Sequence, residues 1–279
     1  MARSIFCSGN FFNTVMYSGH AVSAEEEPSG NEAFRVGTGR RSSLNAATAT
    51  TGNSDWWIKC RCDRVRTADF FALDRGHNLD GKEIVLQGSN DNFTTTEDIF
   101  DITLPSSVYA PSDLRELPGT KTEEGAWLYR FDVRAYRDWR LYVPAMGAGL
   151  KPWIVGLYVD LAWEPEFLQA LPFTFGGRRL SFTEVESDTA WVGASRAAQR
   201  YETVINLQLQ DWAEYDLARL HVETQMWRRR PTWYVPDQAR AERSWLGQVP
   251  AGTYRFEQAR GWGFMQTQFP LVETAPALI

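Results

Sequence analysis

At 279 residues the chain has room for two domains of ordinary size, each able to bury its own core. Hydrophobic residues at 43% and charged residues at 23% exclude an extended disordered chain, and a formal net charge of −6 argues against sequence-independent nucleic-acid binding, which needs Lys and Arg to neutralise phosphates. No apolar run reaches the span of a bilayer, and MARSIFCSGNFFN lacks the continuous apolar stretch of a signal peptide, so no membrane insertion is expected. The odd count of 3 Cys cannot complete a disulfide framework and fits a reducing cytoplasm. Aromatic residues make up 14% of the chain, with 12 Trp, which favours strands and large contact surfaces.

In chain order, residues 1–19 carry Ile5, Phe6, Phe11, Phe12, Val15, Met16 and Tyr17, too apolar for a free tail. Either an edge segment on the first domain or insertion into a neighbouring subunit buries the Phe pair, and the edge segment is the working expectation. Glu25–Glu27 with Pro28, Ser29 and Gly30 read as a solvated loop, and the small polar run Arg40–Gly52 as a long one. Trp56–Cys62 then alternates, with Trp56, Ile58, Cys60 and Cys62 on one face and Trp57, Lys59 and Arg61 on the other. Ala68–Leu73 is a short apolar strand closed by DRGHN, and Glu83–Gln87 a third strand ending in a Gly-Ser-Asn-Asp turn. A strand is predicted over Ile99–Leu104, then a Pro- and Gly-containing excursion over Val108–Gly125. Trp127–Val133, Trp139–Val143 and Ile154–Trp163 follow, the last two paired through the hairpin PAMGAGLKP.

Glu164–Ala170 is the predicted linker, with Pro165 marking it. Beyond it, RYETVINLQLQ puts Tyr201, Thr203, Ile205, Leu207 and Leu209 on one face of a strand. A helix over about 211–227 is capped by Asp211 and carries a stripe of Ala213, Leu217, Leu220, Thr224 and Trp227 toward a core. Arg228, Arg229 and Arg230 close it, either as the charge complement of a helix C-terminus or as a patch for a partner or nucleic acid. Four short strands complete a β-rich barrel or sandwich crossed by one helix.

The order of Ala21–Ala24, D-W-W-I, the apolar strand before DRGHN and I-V-L-Q-G-S-N-D resembles the discoidin or coagulation-factor type C family, a galactose-binding-like jelly roll. NFFNTVMYSGHAVSA and DRGHNLDGKEIVLQGSND are most similar to discoidin-like domains of bacteriophage virion proteins. The resemblance covers residues 1–163 and implies a short turn at Glu32–Val36. The chain also departs from it, because no Cys follows Cys62 to close the domain as in extracellular relatives. The expected architecture is all-β: a jelly roll over 1–163, a linker over 164–170 and a smaller β-rich domain over 171–279. The second half resembles, more loosely, β-rich modules of phage tail and baseplate proteins.

In discoidin-like lectins the loops at one end of the sandwich hold the ligand. The resemblance therefore places candidate contacts at Arg40, Arg41, Asp74, Arg75, His77 and Asn78. Read from the residues alone, Asp74 and Asn78 cap turns and the arginines pair with nearby carboxylates. Cys60-x-Cys62 with His77 falls short of zinc-site spacing, and two buried thiols beside Trp56 account for it, so neither metal nor cofactor is expected. No G-x-S-x-G elbow or phosphate loop is present, and no catalytic residue is assigned. The resemblance implies a structural protein of a phage tail, baseplate or neck, made in the host cytoplasm, whose partners are its own copies and other virion proteins. The alternative is a carbohydrate-binding module for host-surface glycans, and sequence-specific nucleic-acid binding is not expected.

Overall fold

The computed structural model describes residues 4–38, 46–165, 177–187, 190–209, 212–222, 230–250, 255–258 and 265–273. Its first strands in chain order are β1 (Ile5–Cys7), β2 (Ala21–Ala24), β3 (Ala47–Thr48), β4 (Trp56–Leu73) and β5 (Glu83–Ser89). They are followed by β6 (Glu97–Thr103), β7 (Thr120–Lys121), β8 (Trp127–Val143), β9 (Trp153–Ile154) and β10 (Leu157–Asp160). The expected all-β character holds, and β2 falls on Ala21–Ala24, where the resemblance put the first strand.

Two long strands build the sandwich. What the sequence presents as four separate strands is two, β4 with 18 residues and β8 with 17. Each runs through both layers, because the β4–β8 register slips between Arg61 and Arg66 and again between Ala68 and Phe70. Bulges of this kind let a strand bend from one sheet into the next. One layer joins β2, the first half of β4, the second half of β8, β5 and β6; the other joins β10, the second half of β4, the first half of β8 and β7. Phe100 of β6 bridges the layers, with its ring centroid 5.2 Å from Phe71, 5.6 Å from Trp127 and 5.3 Å from Tyr129. The predicted pairing of Trp139–Val143 with Ile154–Trp163 does not form. Both edges of β8 are already taken by β4 and β5, so β10 pairs with Phe70–Leu73 instead.

The second sheet has the order β1, β13 (Thr232–Val235), β14 (Trp245–Gln248), β16 (Met265–Glu273), β12 (Ala190–Leu209), β11 (Gly177–Ser187), with β15 (Arg255–Gln258) on β16. Its first member is the N-terminus. Rather than edging the jelly roll, Ile5–Cys7 pairs with Val235–Trp233, while Phe11 and Phe12 pack into the jelly-roll core. The sandwich is therefore an insertion between the first strand of the second sheet and the rest of it.

A third apolar layer joins the two units. Phe70, Ala72, Leu128 and Tyr158 on the outer face of the sandwich meet Ile5, Cys7, Trp233, Val235 and Leu246 of the second sheet. Phe70–Leu73 is continuously apolar for this reason: Phe71 and Leu73 face the jelly-roll core and Phe70 and Ala72 the shared layer. At the rim, buried Arg130 donates from Nε to Asp69 Oδ2 at 3.0 Å and also pairs with Glu164. Asp69 Oδ1 accepts the Ala162 N–H at 2.7 Å, and Gln238 donates to Glu164 at 2.9 Å.

On the far side of the second sheet, Phe6, Trp163, Ile205, Leu207, Tyr234, Trp245, Phe269 and Leu271 pack with Ala218 and Val222 of the helical segment. The described helix, α1, spans Trp212–Arg219. Ala218 of α1 and Val222 of the turn that continues it are buried, whereas Leu217 and Leu220, assigned to the core from their spacing, are 43% and 54% exposed. Small Ala218 lets the helix lie close to β12, and that contact decides the rotation. Asp211, Thr224 and Trp227 lie outside the described residues.

Candidate binding site

The loop residues singled out from the resemblance are engaged inside the fold. Asp74 is buried and its Oδ1 accepts the Arg75 backbone N–H at 2.9 Å. Arg75 reaches Glu124 at 2.6 Å and Glu273 of β16 at 3.0 Å, tying the sandwich to the second sheet. The His77 side chain is 1% exposed, and its Nδ1 accepts the Leu79 N–H at 3.2 Å. Burial first, and the nearby Lys121 charge second, push its pKa down to about 4. Asn78 donates to the Lys151 carbonyl at 2.7 Å and accepts the Trp153 N–H at 2.9 Å. These are the turn-fastening and pairing roles read from the residues alone. Arg40, Arg41, Arg228 and Arg229 lie outside the described residues, and the Arg230 carbonyl accepts the Thr232 hydroxyl at 3.3 Å.

A different surface gathers aromatic and polar groups. Where the first half of β4 runs beside β8 and β5, the outward residues form rows across the sheet. Trp57 stands opposite Tyr142, and Tyr142 opposite Val85; Lys59 stands opposite Arg140, and Arg140 opposite Gln87. Trp56, Ile58 and Cys60 point the other way into the core, so alternation forces Trp57 and Lys59 outward, where both are half-buried. The Lys59 ammonium lies 4.9 Å from the Trp57 ring centroid. Arg140 donates from Nε to Gln87 Oε1 at 2.7 Å, and Gln87 in turn donates to Asp98 at 2.7 Å. The Tyr142 hydroxyl donates to Asp55, which holds its pKa up at about 12.

One end of this face is held by a strained turn. Asn92 and Phe93 have φ of 59° and 64°, a left-handed pair that Asn adopts readily but a bulky residue such as Phe93 avoids. Ser89 Oγ accepts the N–H of Phe93 at 2.9 Å and of Asp91 at 3.2 Å, while Asp91 accepts from Thr95 and Ser89. These bonds, led by the Thr95 N–H, hold the Asp91 carboxyl down at about 2. The turn sets the Phe93 ring 4.2 Å from the Arg140 guanidinium and brings Asn92 Oδ1 to 3.4 Å from Lys59 Nζ. Two half-exposed rings flanked by cations and an amide suit a ligand with one apolar face and a polar rim. The outward alternation of Trp57 and Lys59 was legible in the sequence, but their meeting with Tyr142, Arg140 and Phe93 was not.

A second feature is a cleft of about 640 Å³ between the sandwich and α1, lined among others by Tyr17, Arg66, Asp160, Leu217, Leu220 and His221. Asp160 Oδ2 accepts the Tyr17 hydroxyl at 2.9 Å and Oδ1 the Leu161 N–H at 2.7 Å. Burial dominates these bonds and raises its pKa to about 7. His221 stacks on Trp163 at 4.9 Å, and burial lowers its pKa to about 4, so its ring is neutral.

Behind Tyr17 lies a buried cluster of His20, Cys60 and Cys62. The histidine beside the two thiols is thus His20, not His77. Its Nδ1 lies 3.0 Å from the Phe11 carbonyl and 3.7 Å from Cys60 Sγ, and its Nε2 3.1 Å from Asp63 Oδ1.

No family model matches the sequence, and no curated protein matches it. Solved structures similar to this chain include a chitosan-binding module from a chitosanase/glucanase of Paenibacillus sp. IK-5, 17% identical over 54% of this chain and 98% of that one, with a TM-score of 0.40. The family 32 carbohydrate-binding module of Streptococcus pneumoniae EndoD is 12% identical over 55% of this chain and 99% of that one, with a TM-score of 0.39. A fucosidase of Ruminococcus gnavus is 12% identical over 56% of this chain, with a TM-score of 0.41, and the match spans 27% of that enzyme's length.

Proposed function

We propose that this chain is a non-catalytic carbohydrate-binding protein whose sandwich offers the Trp57–Tyr142 face to a glycan. The observation that carries the reading is that cross-strand aromatic pair, half-exposed and bordered by Lys59, Arg140 and Gln87. A pyranose ring has an apolar face of C–H groups and an equatorial rim of hydroxyls. Trp57 and Tyr142 match the first; the guanidinium, ammonium and amide match the second. Binding without hydrolysis is supported by the commitments of the nearby carboxylates: Asp98 accepts from Gln87, Asp55 from Tyr142 and Asp138 from the Asn92 N–H.

The test is a glycan array probed with the labelled full-length chain, followed by calorimetry on the hits. Trp57→Ala and Tyr142→Ala should each weaken binding about 10-fold or more, the loss of roughly 1.4 kcal/mol of ring contact. Arg75→Ala should leave binding unchanged. A chain that binds no glycan, or that binds equally well without both rings, sinks the reading.

A second reading is assembly with further subunits, of which a bacteriophage particle is the setting the sequence resemblance implies; one observation supports the assembly itself. Among the described residues, β11 pairs only with β12, and β12 pairs with β16 from Glu202 onward, so the pair projects as a two-stranded ribbon. With 11 residues in β11, the ribbon is roughly 35 Å long at strand rise. An isolated ribbon is marginal in water and presents open edges, which supports a role in docking on another copy or another virion protein. In this reading the chain is made in the host cytoplasm and works in the particle. Light scattering on the full chain and on a variant with residues 179–200 replaced by a short turn checks it. Self-association that survives the deletion, or a monomer at every concentration, counts against it.

A further inference from the structure

We infer that His20, Cys60 and Cys62 form a binding site for a thiophilic divalent cation, Zn²⁺ first, with the Phe11 carbonyl oxygen at the fourth position. The side-chain ligand atoms all lie within 4.8 Å of one another, and all three residues are buried. The His20 Nδ1 to Cys60 Sγ distance of 3.7 Å is close to the edge, roughly 3.5–3.8 Å, of a tetrahedron drawn with zinc–sulfur and zinc–nitrogen bonds of ordinary length. The Phe11 oxygen sits 3.0 Å from Nδ1 and 3.1 Å from Cys60 Sγ, so it already faces the same point.

The surroundings are those of a metal-bound imidazole. With Nδ1 on the cation, the proton stays on Nε2 and is donated to Asp63 Oδ1 at 3.1 Å. A carboxylate behind a ligating histidine fixes its tautomer and raises its basicity. Asp63 is itself held by the Arg66 guanidinium at 2.9 Å and 3.2 Å, and the Tyr17 ring stacks on His20 at 4.7 Å and 11°. Binding exchanges two S–H protons for one dication, so the loaded site has no net charge to bury.

Two other uses of the thiols are weaker. Cys60 and Cys62 stand on one face of one strand, roughly 6.6 Å apart along it, with parallel Cβ directions that oppose a disulfide. Without a cation, hydrogen bonds from the Cys60 thiol and from His20 Nδ1–H to the Phe11 carbonyl hold these three groups together, but they do not call for the second thiol, Cys62, whose sulfur lies within 4.8 Å of the same ligand atoms. The cation would clip the loop of Phe11–His20, which lines the cleft, onto β4.

The test uses the full-length chain purified under reducing conditions, stripped with chelator and reloaded. Elemental analysis should find one zinc per chain, and Co²⁺ should give the near-ultraviolet charge-transfer bands of thiolate ligation with the visible bands of a tetrahedral ion. Cys60→Ser, Cys62→Ser and His20→Ala should each weaken zinc binding roughly 100-fold or more, and Asp63→Asn about 10- to 100-fold. Cys7→Ser removes a thiol buried in the shared layer and should change nothing. The wild-type cobalt spectrum decides the matter even if a ligand variant fails to fold. A chain with three titratable thiols after denaturation and no thiolate–cobalt band overturns the proposal, as does zinc binding that survives loss of both Cys60 and Cys62.

Discussion

Replacing Asp160 by Asn should change how stability depends on pH. In the unfolded chain this carboxyl has its ordinary pKa of 3.8, and in the fold burial raises it to about 7. A folded-state pKa above the unfolded one means that, between those values, the folded chain holds a proton the unfolded chain has released. The stability associated with this group is therefore fully present below about pH 4 and declines as pH rises toward 7. At ~1.4 kcal/mol for each tenfold change in proton affinity, the decline totals roughly 4 kcal/mol. That figure is an upper bound, because Asp160 borders the cleft and water there relieves part of the burial. An Asn keeps an acceptor for the Leu161 N–H and a partner for the Tyr17 hydroxyl but cannot ionise. Urea unfolding followed by tryptophan fluorescence, run on both chains from pH 4 to 8, isolates the effect, since every other titrating group is common to both. The variant's advantage should grow with pH by about 2–4 kcal/mol. A difference that stays flat across the range, or shrinks as pH rises, refutes the assignment of a buried carboxyl that pays for its charge.

Arg130→Met should lower the unfolding free energy by about 3–5 kcal/mol, because Asp69 is left as a buried charge without its guanidinium. Adding Asp69→Asn to that variant should recover at least half of the loss, keeping an acceptor for the Ala162 N–H; urea midpoints measure both. Arg75→Ala removes the cation shared by Glu124 and by Glu273, which is 4% exposed, and should cost about 2–3 kcal/mol, with protease susceptibility rising at the junction of the two units. Gly37→Ala would put a Cβ 1.9 Å from the Phe12 carbonyl oxygen and 2.6 Å from the Asn13 nitrogen, backbone that has no easy way to yield. Its thermal midpoint should fall well below that of Gly125→Ala, which meets no atom within 4 Å and bears only the cost of about 1 kcal/mol for a φ of +87°.

How much of this was legible beforehand depends on whether the signal was local. The alternation over Trp56–Cys62 placed Trp56, Ile58, Cys60 and Cys62 in the core correctly, because the period of a strand is set by its own backbone. Thr203, Ile205 and Leu207 likewise came out buried, as the pattern of RYETVINLQLQ required. The helix stripe failed. Leu217 and Leu220 share the spacing of a core face, yet Ala218 and Val222 do too, and only the approach to β12 selects between them. The loop residues Asp74, Arg75, His77 and Asn78 stood out as ligand contacts by resemblance and as turn caps or ion-pair partners by residue type, and chemistry alone could not say whether their polar atoms faced a ligand or the protein.

By itself, then, the amino-acid order determined the strand-rich class and the inward faces of the half-buried strands, since these follow from side-chain alternation and turn residues. Tertiary structure decided the rest. It threaded Ile5–Cys7 into the far sheet and fused four apparent strands into two bent ones. It also drew His20 to the thiols 40 residues further along the chain, and Tyr142 to Trp57. Each of these pairings is made across long sequence separations, where no local periodicity reaches and only the competition for shared buried surface chooses the partner.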